Sequence, residues 1–86
     1  MDIIVNHSSM QPIYEQIGDQ IKEKIMHGVL KADTSLPSVR TLAKELKVSA
    51  LTVKKAYDAL EEEGFVITIH GKGSFVAFAD QELMLE

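Results

Sequence analysis

The chain has 86 residues and no cysteine. That absence excludes disulfides as a source of stability and thiolate metal sites as a substitute for them, and it suits a reducing compartment. Long apolar runs are missing as well: none approaches the ~18 residues a membrane span needs. The N-terminus, Met1-Asp2-Ile3-Ile4-Val5, carries an acid where a secretory signal carries lysine or arginine. The expectation is a soluble cytoplasmic protein with one small core and no room for a second domain. A domain of this size buries only about 60% of the surface its unfolded chain exposes, so its stability margin is thin.

Convergent catalytic groups are equally scarce. His7, His27 and His70 stand on separate segments with no i, i+4 pairing, which argues against a metal site. Glu61, Glu62 and Glu63 are adjacent in sequence, and adjacent helical residues point in different directions, so they form no carboxylate pair. The stretch HGKGSF, His70 to Phe75, suggests a phosphate loop at first sight. A Walker loop, however, needs a glycine five residues before Gly71, a lysine followed by serine or threonine, and a helix after it. Here Lys72 precedes Gly73 and the next residues are β-like, so nucleotide binding by this loop is set aside. A dinucleotide fingerprint fails too, for want of its third glycine and its helix. No enzymatic activity and no cofactor are expected.

Positive charge is in short supply overall, with a net charge of −4. A polyanionic partner is held mainly by neutralising its phosphates, so the sum weighs against nucleic acid. Its distribution does not. Between Pro37 and Tyr57 the bases Arg40, Lys44, Lys47, Lys54 and Lys55 face the single acid Glu45, so this window carries +4 and the remainder −8. What decides the matter is whether those bases share a face.

The pattern of the chain supplies that face. Pro12 suits the start of a helix, and Ile13, Ile17, Ile21 and Ile25 recur every fourth residue until Gly28 stops it. After a polar connection, Ser38 caps a second, short helix with Leu42, Ala43 and Leu46 inward. It ends near Lys47-Val48, and Ser49 caps a third helix that runs to Gly64 with Val53, Ala56, Tyr57 and Leu60 inward. Two helices joined by so tight a turn make a helix-turn-helix. From Phe65 the period becomes strand-like, with Phe65 to Ile69 and Ser74 to Phe78 flanking the glycine-containing turn as a hairpin. A short extra strand is expected near Thr34-Leu36. The fold class predicted is α+β, a winged helix-turn-helix of three helices followed by a β-hairpin wing.

At about 100° per residue, the third helix turns Leu51, Thr52, Lys55 and, to one side, Lys54 outward. That face, at the N-terminal half of a recognition helix, is the one that enters a major groove. The lysines suit phosphates, Thr52 suits a phosphate or a base edge, and Leu51 is either incidental or a contact for a thymine methyl. Arg40, just after the Ser38 cap, suits a phosphate clamp beside helix amides. His70 and Lys72, at the wing tip, suit the phosphates of a DNA backbone.

These residues resemble the DNA-binding domain of the GntR family of bacterial transcription regulators, and within it the short YtrA-like branch. The likeness runs from Pro12-Ile13-Tyr14-Glu15-Gln16-Ile17 through Leu36-Pro37-Ser38-Val39-Arg40 and Leu42-Ala43. It continues in Val48-Ser49, Thr52-Val53, Ala56-Tyr57, Leu60-Glu61 and Gly64-Phe65-Val66, and closes on Gly71-Lys72-Gly73-Ser74-Phe75-Val76. The resemblance implies a homodimer on a roughly palindromic double-stranded DNA operator, more a repressor than an activator. It places DNA contacts on Arg40, on Ser49, Ala50, Leu51, Thr52 and Lys54, and on His70 and Gly71 in the wing. Departures are Ala50 and Leu51, where the family often has polar residues, Ala32-Asp33 for a common Pro-Gly, and Lys47 for a common glycine. On this reading residues 10–79 are the DNA-binding domain. Residues 80–86 are then the start of a C-terminal helix or linker leading to a dimerisation region, and a small-molecule effector would act through that missing part. The alternative is a winged helix used to dock another protein.

Overall fold

The isoleucine stripe forms α1, Ile13–Met26, and buries Ile17, Ile21 and Ile25 against the rest of the chain. In this computed structural model residues 1–77 are described. The expected C-terminal helix, and Phe78 of the expected second strand, lie outside them. α2, Val39–Leu46, and α3, Ala50–Glu62, follow, and α3 packs against both earlier helices. The most deeply buried large side chains, Ile17, Ile21, Leu42, Val53, Leu60, Val66 and Val76, come from all three helices and both strands, so one core serves the whole fold.

The wing is a hairpin of β1, Val66–Ile69, and β2, Gly73–Val76, antiparallel with Val66 opposite Val76 and Ile69 opposite Gly73. Its first pair is buried in the core, and the rest of β1 projects into solvent. The ladder extends one step further, since Ala77 N–H donates to Phe65 O at 2.9 Å. The expected third strand is present in reduced form. Ser35 bridges Phe75, while Asp33 N–H donates to Val76 O at 2.8 Å and Leu36 N–H to Ser74 O at 2.9 Å. This links the α1–α2 connection to the wing. At the hairpin tip Lys72 N–H closes a turn on Ile69 O at 2.9 Å, with Gly71 at φ 83°, a positive value that glycine adopts without a Cβ penalty.

All three helices end in the same way. A residue two or three past the last helical one donates back to a carbonyl five residues earlier: Val29 to Lys24, Val48 to Ala43 and Phe65 to Leu60, at 2.8, 3.0 and 2.9 Å. This is the six-to-one bond of a Schellman closure, which needs a left-handed residue just before the donor. Gly28 and Gly64 supply it at two ends, and Lys47, at φ 59°, supplies it between α2 and α3.

The N-terminal segment adds a strap that residue periodicity gave no reason to expect. Gln16, itself buried, accepts from Asn6 N–H at 2.8 Å and donates to Asn6 O at 3.0 Å and Gln11 O at 2.8 Å. One turn on, Gln20 brackets Ile4, accepting from its N–H at 2.9 Å and donating to its carbonyl at 2.6 Å. Two helix-borne amides thus act as a surrogate strand, and they seat Ile3 in the core.

Candidate nucleic-acid interface

The turn between α2 and α3 rests on two caps of identical build. Ser38 Oγ accepts from Thr41 N–H at 3.1 Å and donates to Thr41 Oγ1 at 2.9 Å. Ser49 Oγ accepts from Thr52 N–H at 3.1 Å and lies 2.8 Å from Thr52 Oγ1. Each serine satisfies a helix amide that would otherwise be unpaired, and each threonine locks the serine in place. A third tie crosses between the helices: the Tyr57 hydroxyl, on α3, donates to Pro37 O at 2.7 Å, just ahead of α2. Burial, and then the charge of Glu45, push the Tyr57 phenol pKa up, so it stays a neutral donor. The start of α2, and Arg40 with it, is therefore held at a fixed distance from α3.

α3 stands as a ridge between two grooves. The first, about 410 Å³, separates α3 from the wing and the start of α2, and its walls include Arg40, Ala50, Lys54, Asp58, Thr68 and Ser74. Lys54 Nζ sits 2.9 Å from Asp58 Oδ2 one turn along, both side chains more than half exposed. The Thr68 and Ser74 hydroxyls face each other at 3.4 Å across the hairpin. The second groove, about 340 Å³, lies between α3 and the start of α1 and is lined by Ile13, Tyr14, Leu51, Thr52 and Lys55. Lys55 Nζ is 4.4 Å from the centroid of the Tyr14 ring, a cation–π distance.

The sequence-predicted residues therefore divide into three groups. Arg40, Ala50 and Lys54 meet in the groove against the wing, while Leu51, Thr52 and Lys55 meet in the other. Ser49 is exposed at the head of the ridge between them, and His70, Gly71 and Lys72 are exposed at the hairpin tip, outside the lining of either groove.

A family model described as "Bacterial regulatory proteins, gntR family" matches residues 13–76, which take in α1, the helix-turn-helix and the wing. The chain belongs to the GntR family. Among curated GntR relatives it is 43% identical over 75 residues to the HTH-type transcriptional repressor YtrA of Bacillus subtilis (strain 168), covering 87% of this chain and 58% of that repressor. It thus spans little more than half of that protein's length. Its structure is similar to that of YtrA from Sulfolobus acidocaldarius, a GntR-family transcription factor, at a TM-score of 0.84 and 43% identity over 96% of this chain and 87% of that one. It is also similar to AraR(DBD) solved in complex with operator ORX1, at a TM-score of 0.78 and 28% identity over 90% of this chain and 96% of that one.

Within this GntR fold the grooves contain residues that sequence reasoning did not single out. Asp58 was legible as the i+4 neighbour of Lys54. Thr68 and Ser74 became visible only with the hairpin register, which places them opposite each other on the side facing α3. Ile13 was assigned to the core stripe and Tyr14 was noted only in the family likeness, yet both are only partly buried and border the second groove. Among the described residues no helix is long and apolar enough to cross a membrane.

Proposed function

We propose that this chain is the operator-binding part of a cytoplasmic, non-enzymatic transcription regulator, a repressor that binds a roughly palindromic double-stranded DNA site as a homodimer. The observation that carries this reading is the concentration of Arg40, Lys44, Lys47, Lys54 and Lys55 on the helix-turn-helix of an otherwise acidic chain. Arg40 and Lys54 border the groove between α3 and the wing, where a duplex edge laid over α3 would run. In this arrangement α3 enters the major groove through Ser49, Ala50, Leu51, Thr52, Lys54 and Lys55. Arg40 clamps a phosphate beside the α2 amides, and His70, Gly71 and Lys72 meet the backbone beside the adjacent groove. The printed description of the Bacillus relative as a repressor, and the operator bound to the similar AraR domain, support the same reading. Dimerisation, and response to any small-molecule effector, belong to a region C-terminal to residue 79.

A salt titration against duplex DNA tests the proposal. Neutralising each phosphate gives log K a slope of about −0.9 against log salt. Arg40→Ala should make the slope shallower by about 1 per half-site, and cost about 1–3 kcal/mol of affinity per half-site. Absence of DNA binding at low salt would point instead to a winged helix that docks another protein.

A further inference from the structure

The exposed side of the first turns of α3 carries both polar and apolar groups, and the polar ones are already engaged. The Thr52 hydroxyl lies 2.8 Å from Ser49 Oγ, which itself holds the Thr52 amide at 3.1 Å. Lys54 is paired with Asp58 at 2.9 Å, and Lys55 lies over the Tyr14 ring at 4.4 Å. Each has a partner inside the protein, and turning it toward a base sacrifices that contact. Leu51 has no such tie. It is 75% exposed, beside Ile13 and Tyr14 on the rim of the groove between α3 and α1.

An exposed leucine on a surface that closes over DNA gains free energy only from apolar area placed against it. In the major groove the apolar group on a base edge is the C5 methyl of thymine. Resting on the reading that α3 enters that groove, we infer that Leu51 is a specificity-determining residue that selects thymine through its methyl group. Base readout by α3 is then largely apolar, through Leu51 on the α1 side of the ridge and Ala50 on the wing side, with the lysines left to phosphates. Covering one methyl corresponds to about fourfold in affinity per half-site, from ~0.8 kcal/mol per buried carbon at ~1.4 kcal/mol per decade. An operator read twice by a dimer would show about fifteenfold by the same rule.

Replacing thymine by deoxyuridine removes that methyl and nothing else, which isolates the contact. Duplexes retained by the 86-residue chain from a random pool are resynthesised with deoxyuridine at each thymine in turn, and binding is measured by fluorescence anisotropy for the chain and for Leu51→Ala. The expected result is one thymine per half-site at which deoxyuridine weakens the parent about fourfold and leaves Leu51→Ala unchanged. Retained duplexes with no such position, or with equal penalties in both proteins, overturn the methyl readout while leaving DNA binding intact. A pool from which nothing is retained at low salt overturns the DNA-binding reading itself, and this inference with it.

Discussion

Replacing Gln16 by alanine removes three hydrogen bonds at once and unties the strap at Asn6 and Gln11. At about 1 kcal/mol net per bond the loss would reach about 3 kcal/mol, but water can reach part of the freed backbone, and alanine favours the helix by a few tenths. The expected destabilisation is about 2 kcal/mol, or a fall in Tm of about 8–16 °C for a domain of this size. Ile3→Ala should cost a similar ~2 kcal/mol by emptying the place that the strap fills in the core. Both substitutions release the same segment, so together they should cost little more than the larger alone, a coupling of about 1–2 kcal/mol. Urea unfolding followed by far-UV circular dichroism, on the parent, both single variants and the double variant, measures the cycle. A Gln16→Ala loss below ~0.5 kcal/mol, or single losses that add to within ~0.5 kcal/mol, would refute the argument that buried glutamine amides hold the strap.

Lys47→Gly should stabilise the fold by about 0.5–1 kcal/mol, since relief of a left-handed lysine outweighs the extra freedom glycine gives the unfolded chain; an unchanged or lower urea midpoint would count against the closure described at the end of α2. Gly18→Ala should add about 1 kcal/mol, because Gly18 is buried in the interior of α1 and a Cβ there meets nothing within 4 Å. A drop in Tm for that variant would mean that the space beside α3 is not open.

The helices were legible because their signals are local. Ser38 and Ser49 cap as their positions before apolar-periodic runs suggest, and the inward sets on α1 and α3 follow from spacing alone. Lys47 was visible only as a departure from glycine, since nothing in its side chain favours a positive φ; the closure around Val48 imposes it. The strap escaped notice because glutamines on a helix read as solvated, and only tertiary placement turns Gln16 inward. The candidate site was legible in direction but not in engagement. A helical wheel points Lys54 and Lys55 outward, yet it cannot show that Lys55 lies over an aromatic ring on another helix. Glu63 is a similar case: its sequence neighbours show only that it joins no carboxylate pair, and the fold pairs it with Lys22 of α1 at 2.6 Å.

The bridge from Ser35 to Phe75 bears on how the chain reaches this fold. The three helices form from local contacts and α3 then packs on α1 and α2, but Ser35 waits for Phe75, near the far end of the described chain. Closing that loop is an entropic cost that local structure cannot defray, so sheet assembly should trail helix formation in time. On a ribosome, the three helices can emerge and collapse while Val66 still lacks Val76 opposite it. The wing is thus the last part of the domain to be made and the part that seals its core.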